Sequence, residues 1–221
     1  MSRRRAPWRG VVARGACACI CILFAAPAHA EGDAGADGTH GRIDGDVAVV
    51  GSLGATFGPR APRATLDGRL RYLSTVGLFG TYEDGPLFGG GAVPRRAIVV
   101  GAELRPLFLA RWLRGWSTGA PRVDLTIDSL ALELGVVATQ PESGPFGGRP
   151  GLQLGGALEL PFFARASGPL LALRGGVRWG HAALAGQVDG PVDRAGYLAL
   201  AVGWQHIFGA HVVDAGDRAP R

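Results

Sequence analysis

The feature that most constrains this chain is the alternation of charged and apolar residues along glycine-rich segments. In residues 65–80, TLDGRLRYLSTVGLFG, the charged residues Asp67, Arg69 and Arg71 occupy every second position and alternate with apolar residues and glycine. Successive side chains of a β-strand point to opposite faces, so this segment has one charged and one apolar face. Segments of this kind are recognisable at about residues 45–58, 64–82, 96–112, 122–138, 151–163, 169–182 and 196–208.

The separators between these segments, such as GPRAP, RASGP and QPESGPFGGRP, combine proline with glycine, which suits turns and interrupts strand pairing. The pattern predicts an all-β chain that forms a closed antiparallel up-and-down β-barrel. Seven segments are recognisable, and a closed barrel of about eight strands requires one that is not recognised. The segment DSLALELGVVA, residues 128–138, is open to two interpretations: a strand, or a short helix with Asp128 as its N-cap.

The first thirty residues have the pattern of a secretory signal peptide: five arginines, a short apolar run, and AHA before Glu31. The run is much shorter than the roughly 20 residues that a membrane-spanning helix needs. We expect cleavage after Ala30. The predicted organisation is a signal peptide at 1–30, a flexible lead-in at 31–42, the barrel at 43–208, and a C-terminal tail or the end of the last strand at 209–221.

Removal of the signal peptide changes the charge balance of the chain. The full chain has 23 basic and 18 acidic residues, and five of the arginines lie in the signal peptide, which leaves 18 of each sign. A basic surface for nucleic acid is therefore not supported, and we expect no nucleic-acid partner. The cysteines, Cys17, Cys19 and Cys21, all lie in the signal peptide, and no two histidines have metal-ligand spacing. We therefore expect neither a metal nor a cofactor.

The charged faces of the predicted strands are nearly balanced between acids and arginines, and the residues between the charges are mostly glycine and alanine. This composition suits a narrow lumen filled by paired side chains, as in barrels of about eight strands. A soluble barrel would instead carry a solvated mixture of polar residues outside. The predicted lumen ion-pair network consists of Asp67, Arg69, Arg71, Glu103, Arg105, Asp124, Asp128, Glu159, Arg174 and Arg178.

Aromatic residues lie near the ends of the predicted strands, where the interface girdles of a membrane barrel would lie. The predicted girdle residues are Phe57, Tyr82, Phe108, Trp112, Phe162, Trp179, Trp204 and Phe208.

In this overall plan, residues 43 to 208 resemble the small outer-membrane β-barrel proteins of Gram-negative bacteria. The last segment, YLALAVGWQHIF with Gly203, His206 and Phe208, is similar to the terminal-strand signal read by the outer-membrane insertion machinery. The resemblance implies an outer-membrane location, contact with outer-membrane lipid, and the insertion machinery as a partner during biogenesis. It leaves the oligomeric state open.

One motif could indicate catalysis. GWSTG, residues 115–119, matches the Gly-x-Ser-x-Gly form around Ser117, and the candidate partners Asp124, Asp128, His181 and His206 follow. A nucleophile elbow joins a strand to a helix, whereas Pro121 and another predicted strand follow here, so the motif favours a turn.

The predicted function is therefore a structural or interaction role in the outer membrane, without catalysis. Two alternatives remain at this stage. One is a soluble periplasmic or secreted β-barrel that binds a small apolar ligand, with its large aliphatic residues inside. The other is a barrel enzyme that modifies envelope lipid.

Overall fold

The computed structural model describes residues 40–59, 61–87, 95–140, 144–147, 149–186 and 194–210. Within these ranges the strands are β1 Val47–Phe57, β2 Arg63–Tyr72, β3 Val76–Asp84, β4 Arg96–Leu104, β5 Ala131–Gln140, β6 Gly151–Pro161, β7 Gly168–Trp179 and β8 Arg194–Phe208. The helices are α1 Pro106–Arg114, α2 Pro121–Asp128 and α3 His181–Leu184. The predicted signal peptide, most of the lead-in and most of the tail lie outside the described residues.

The strands pair in sequence order, and β1 also pairs with β8, so the sheet closes into a barrel. Every pair is antiparallel. The predicted closed antiparallel up-and-down barrel of about eight strands is confirmed. In the part of the chain that is described, no helix is long and apolar enough to cross a membrane.

The strand that the sequence pattern missed lies within residues 64–82, which form two strands rather than one. Leu73 and Ser74, with φ of 46° and 53°, reverse the chain between β2 and β3. The amide of Thr75 donates to the carbonyl of Tyr72 over 3.1 Å. Two successive positive φ angles are typical of the type I′ hairpin turn, which usually contains glycine or asparagine. Because this turn contains neither, it carries no recognisable separator.

Two other predicted strands are partly helical. The segment 96–112 leaves the sheet after Leu104 and continues as α1, and the segment 122–138 begins as α2. Proline occupies the first position of each helix, where its missing N–H and fixed φ are tolerated. The alternative helix at 128–138 is wrong, because Asp128 ends α2 and the residues after it form β5.

The barrel has an inverted distribution of polarity. Apart from buried alanines and two small apolar clusters, formed by Val50, Leu170, Ala172 and Ala201 and by Phe79, Val99 and Val137, the interior is lined by charged and polar side chains. The outer face carries exposed aliphatic residues on every strand. We call the following residues the apolar belt: Leu53, Leu66, Leu70, Leu78, Ile98, Val100, Leu104, Leu132, Leu134, Val136, Leu154, Leu160, Leu173, Val177, Leu198, Leu200 and Val202.

The two ends of the barrel differ. Val47 pairs with Phe208, so β1 begins and β8 ends at the same end, which we call the terminal end. The tight turn at Leu73 and Ser74, the helices α1 and α2, and the connection at 162–167 also lie at the terminal end. The helix α3 lies at the opposite end, which we call the far end.

Candidate functional site

The centre of the lumen is organised by two arginines of β2. Arg69 Nε lies 2.8 Å from Asp67 Oδ1, and Arg69 Nη1 lies 2.6 Å from Glu133 Oε1 and also contacts Glu103. Arg71 Nε contacts Glu103 as well, and its Nη2 lies 2.5 Å from Glu159 Oε1. Inward-facing residues of a strand recur at every second position, so Asp67, Arg69 and Arg71 form one charged row.

The network continues toward the terminal end through Glu159 of β6. Glu159 also binds Arg105 Nη2, at 2.5 Å from Oε2. Its backbone is held by Ser129, whose hydroxyl donates to the Glu159 carbonyl over 2.9 Å. On β8, Gln205 accepts a hydrogen bond from Arg71 Nη1 at 2.8 Å and donates to the carbonyl of Ala166 at 2.8 Å. One buried carboxylate thus joins strands on opposite sides of the barrel.

Toward the far end, two arginines of β7 cross the lumen. Arg174 Nη2 lies 2.9 Å from Asp67 Oδ1. Arg178 donates to both carboxylate oxygens of Glu83, over 2.7 and 2.8 Å, and its Nε donates to Gln153 over 2.7 Å. The guanidinium of Arg178 also stacks on the ring of Tyr197, 4.4 Å from its centre.

The lumen network balances its charges with five arginines and five acids. Its members are Arg69, Arg71, Arg105, Arg174, Arg178, Asp67, Glu83, Glu103, Glu133 and Glu159. All are buried except Arg178, whose side chain is 18% exposed. A buried charge is costly unless it is paired, and each member of this network contacts at least one group of opposite charge.

The structure brings together eight of the ten charged residues predicted for the lumen: Asp67, Arg69, Arg71, Glu103, Arg105, Glu159, Arg174 and Arg178. Two members, Glu83 and Glu133, were missed. Glu83 follows the end of the segment predicted at 64–82. Glu133 alternates with the exposed Leu132 and Leu134. It was missed because Asp124 and Asp128 had been assigned to the lumen face of the same predicted strand, and Glu133 would then lie on the opposite face.

Asp124 and Asp128 do not lie on a lumen strand, which corrects the prediction. Both belong to α2, because Pro121 starts a helix there. Asp128 Oδ1 lies 3.1 Å from Arg111 Nη1 of α1, and Asp124 also contacts Arg111. Asp124 accepts hydrogen bonds from the Ser117 hydroxyl at 2.8 Å and the Thr118 amide at 2.9 Å. The two aspartates therefore join α1 to α2.

We use the name end cap for residues 40–42, α1, the turn 115–120 and α2. Arg42 of this cap is buried; its Nη2 donates to the carbonyl of Leu125 over 2.5 Å, and its guanidinium lies 5.7 Å from the centre of the Phe108 ring. A cavity of about 20 Å³, room for about one water molecule, is lined by residues that include Arg42, Leu125, Glu159 and Gln205. The cap thus packs closely against the charged network.

Burial in the end cap shifts three pKa values. Burial and the neighbouring Arg105 lower the pKa of Arg42 to about 9. Burial raises the pKa of Asp128, against the attraction of Arg42 and Arg111. Burial would also raise the pKa of Asp124, but its hydrogen bonds from Thr118, Ser117 and Arg111 outweigh this and hold the value below the usual range. Asp124 is therefore the firmly ionised acid of the cap.

Most predicted girdle residues lie on the outer surface near one end or the other. Phe57, Tyr82 and Trp179 lie toward the far end, and Phe162, Trp204 and Phe208 lie toward the terminal end. Trp112 is exposed on α1, outside the strands. Phe108 is buried beneath Arg42, because α1 turns that side chain inward, so its prediction as a girdle residue is wrong.

The residues of the predicted terminal-strand signal lie on β8. Gly203 faces the lumen, and a Cβ there would lie 2.6 Å from the carbonyl oxygen of Gly51 and from the Ser52 Cβ, so the position has no room for a side chain. His206 faces outward and stacks on Phe208, with the ring centres 6.1 Å apart. Recognition by the insertion machinery stays a prediction.

A closed sheet of eight antiparallel strands with charges inside and aliphatic residues outside combines the features of one known architecture. The chain has the closed eight-stranded antiparallel barrel fold that is found in small outer-membrane proteins. Three solved structures that match it are outer-membrane β-barrels, at sequence identities of 10–11%. No protein-family model matches the chain, and no curated protein matches it significantly.

Three of these structures illustrate the match. The N-terminal β-barrel domain of OprF from Pseudomonas aeruginosa is 10% identical, with a TM-score of 0.45 over 73% of this chain and 98% of that one. Neisserial surface protein A is 11% identical, with a TM-score of 0.35 over 72% and 94%. Ail of Yersinia pestis, solved with the heparin analogue sucrose octasulfate, is 10% identical, with a TM-score of 0.32 over 72% and 96%.

The serine motif does not form a nucleophile elbow. Ser117 lies in the turn between α1 and α2, and its hydroxyl donates directly to Asp124 instead of to a histidine. His40 Nε2 lies 3.5 Å from the same carboxylate. His181 lies on α3 at the far end, and His206 faces outward on β8. Across the described ranges, no cluster of histidine, cysteine, aspartate and glutamate could hold a metal ion.

Proposed function

We propose that this protein is an integral outer-membrane β-barrel with a structural or interaction role, a lumen closed by ion pairs, and no catalytic activity. The observation that carries the proposal is the inverted polarity of the barrel. Leu78 and Val100 on the outside are 63% and 59% exposed, whereas Asp67 and Glu133 on the inside are 2% and 1% exposed. A protein surrounded by water would gain from the opposite arrangement.

The apolar belt includes exposed residues of all eight strands, whereas soluble monomers rarely expose contiguous apolar patches larger than a few hundred Å². A hydrocarbon environment removes the free-energy cost of exposing this apolar surface to water. It also requires that every backbone N–H and C=O group be paired within the protein, a condition that a closed barrel meets. The secretory pattern of the first thirty residues supports export to the envelope.

The alternative of a soluble barrel with an apolar ligand required the large aliphatic residues to lie inside. They face outward, and the charged network occupies the interior. Lipid is therefore the apolar partner that this distribution favours, and it would contact the belt instead of entering the lumen.

The crossing ion pairs support a lumen that does not conduct. Arg71 of β2 contacts Glu159 of β6, and Arg178 of β7 contacts Glu83 of β3, so side chains span the interior at two levels. The end cap adds a further layer at the terminal end. With no reactive residues assembled in the described part of the lumen, the paired charges act as structural supports for the barrel.

Conductance and stability measurements on Arg71→Leu test this proposal. The wild type and the variant are reconstituted into planar lipid bilayers, and their unfolding in urea is followed in lipid vesicles. We expect neither protein to conduct and the variant to unfold at lower urea, because Glu103 and Glu159 lose a partner. A clear rise in conductance in the variant would instead indicate a gated pore, and unchanged stability would contradict a structural role for the network.

A further inference from the structure

Helix α1 presents an apolar face that nothing in the described structure covers. Leu109, Trp112 and Leu113 lie on one side of the helix, and their side chains are 43%, 48% and 71% exposed. Trp116, just beyond the helix, is 63% exposed. Residues three and four positions apart share a helical face, so Leu109, Trp112 and Leu113 form one surface, and the exposed Trp116 follows at the end of the helix.

The orientation of this face is fixed by the opposite side of the helix. Phe108 packs under Arg42, and Arg111 is bound by Asp124 and Asp128 of α2. Arg111 also lies over the Trp116 ring, 5.4 Å from its centre. Because the buried side of α1 is held by ion pairs, the helix cannot rotate its apolar face inward without breaking them.

The terminal end carries further exposed aromatic residues next to α2. Phe162 and Phe163, in the connection between β6 and β7, are also exposed, and the guanidinium of Arg122 contacts the carbonyl of Phe162. Trp and Phe beside arginine are typical of segments that lie at the level of lipid headgroups.

Among the described residues, the exposed charges at the terminal end are mostly positive. Arg114, Arg122 and Arg165 are exposed at the terminal end, whereas the aspartates of the end cap are buried; Asp44 is an exposed acid at the same end. This excess of arginine complements the anionic headgroups of a phospholipid leaflet.

The apolar face is also continuous along the chain with the apolar belt. Leu104, at the end of β4, belongs to the belt, and α1 begins two residues later at Pro106. After α2, the chain returns to the barrel at Leu130, which is 42% exposed. The two helices therefore leave and rejoin the barrel at the border of the surface that we assign to lipid.

We propose that α1 lies in the headgroup layer of the phospholipid leaflet next to the terminal end and anchors the barrel to it. The anchor rests on the proposed function, since it requires the barrel to be inserted. Leu109, Trp112, Leu113 and Trp116 enter the layer, and the exposed arginines bind its phosphates. The barrel then contacts lipid both around its circumference and beneath its rim.

Tryptophan fluorescence can test the anchor, because the tryptophans outside the signal peptide divide into two groups. The variant Trp179→Phe, Trp204→Phe retains Trp112 and Trp116 of the end cap, and the variant Trp112→Phe, Trp116→Phe retains the two barrel tryptophans. Each protein is purified from the envelope and reconstituted into vesicles of phosphatidylcholine and phosphatidylglycerol, with and without lipids brominated near the headgroup. Insertion is checked separately by the mobility of unboiled protein on a denaturing gel.

We expect brominated lipid to quench the end-cap tryptophans at least as strongly as the barrel tryptophans, and aqueous acrylamide to quench them weakly. If the barrel tryptophans are quenched by lipid and the end-cap pair only by acrylamide, the anchor is wrong and the barrel assignment stands. A face that a protein partner covers in the cell would also give this result, because the purified protein lacks the partner, and this would overturn the anchor. Failure of both variants to insert or to be quenched would overturn both proposals.

Two glutamate variants provide a matched comparison in the protein that retains only Trp112 and Trp116. Leu113→Glu places a charge on the apolar face, and Leu107→Glu places the same charge on an exposed position on the other side of the helix. We expect acrylamide quenching to rise in the Leu113 variant and to stay unchanged in the Leu107 variant, with insertion intact in both. Equal quenching in the two variants would contradict the proposed orientation.

Discussion

The ion pair between Arg178 and Glu83 offers the sharpest test of the closed lumen. Arg178 donates to both oxygens of the Glu83 carboxylate, and Glu83 is 0% exposed. Replacing Arg178→Met leaves a buried carboxylate without its bidentate partner. Loss of one member of a buried pair costs about 3–5 kcal/mol, or roughly two to three and a half powers of ten in the folding equilibrium constant.

The double variant Arg178→Met, Glu83→Met separates two contributions to the free energy of unfolding: the destabilisation by an unpaired buried charge, and the net stabilisation by the intact pair. Replacement of a complete buried pair by apolar residues of similar volume is often neutral or stabilising. We therefore expect the double variant to recover most of the stability that the single variant loses. The assay is unfolding in urea from lipid vesicles, followed by fluorescence and by the mobility of unboiled protein.

Arg96→Met is the matched control, because Arg96 pairs with Asp84 near the same end of the barrel but in contact with water. Their atoms lie 3.3 Å apart, and the side chains are 34% and 45% exposed. An exposed pair is worth about 0–1 kcal/mol. Equal losses in the Arg178 and Arg96 variants would show that water screens the lumen charges, and this would refute the account of a closed, pair-filled interior.

Three further predictions follow from the belt, the strand packing and the end cap. Val100→Arg in the middle of β4 should lower the free energy of unfolding in vesicles by about 2–4 kcal/mol, and Leu104→Arg at the end of β4 should lower it by about 0–1 kcal/mol. Equal and small effects of the two substitutions would indicate that water, and not hydrocarbon, surrounds the barrel. Gly101→Ala should lower the free energy of unfolding by about 1–3 kcal/mol, because the new Cβ would lie 2.2 Å from a backbone carbonyl oxygen. Gly68→Ala is the control, because a Cβ at this position would have no atom within 4 Å, and it should leave the urea titration unchanged. The lowered pKa of Asp124 means that its ionised form stabilises the cap fully above its unfolded pKa of about 4, and that this stabilisation disappears as the pH falls further. Asp124→Asn should therefore increase hydrogen exchange of the cap at pH 7, with a smaller difference from wild type below about pH 4; a difference that does not depend on pH would contradict this.

The fold was predictable because a strand has a period of two residues. The alternation of Asp67, Arg69 and Arg71 with apolar residues defines both faces of β2 from local sequence alone. The same reasoning placed Glu103, Glu159 and both arginines of β7 in one interior, since every inward face of a narrow closed barrel points to the same space.

The turn between β2 and β3 and the end cap were not predicted, because the chain reversals that form them leave little signal in the sequence. Leu73 and Ser74 adopt positive φ in a turn without glycine, so one long strand was predicted in place of two. The end cap was missed because α1 and α2 are short and lie within segments that alternate like strands, and because the hydrogen bond of Arg42 to Leu125 of α2 joins residues distant in sequence. Such contacts form only after the barrel brings the connections together.

The central claim is that the apolar belt contacts lipid and the charges face a closed lumen. The most direct measurement is fractionation of cells that express the full chain, followed by a denaturing gel of the envelope with and without boiling. The account predicts that the mature protein sediments with outer membranes and changes mobility on boiling. Recovery of the folded protein from the soluble periplasmic fraction, without detergent, would contradict it.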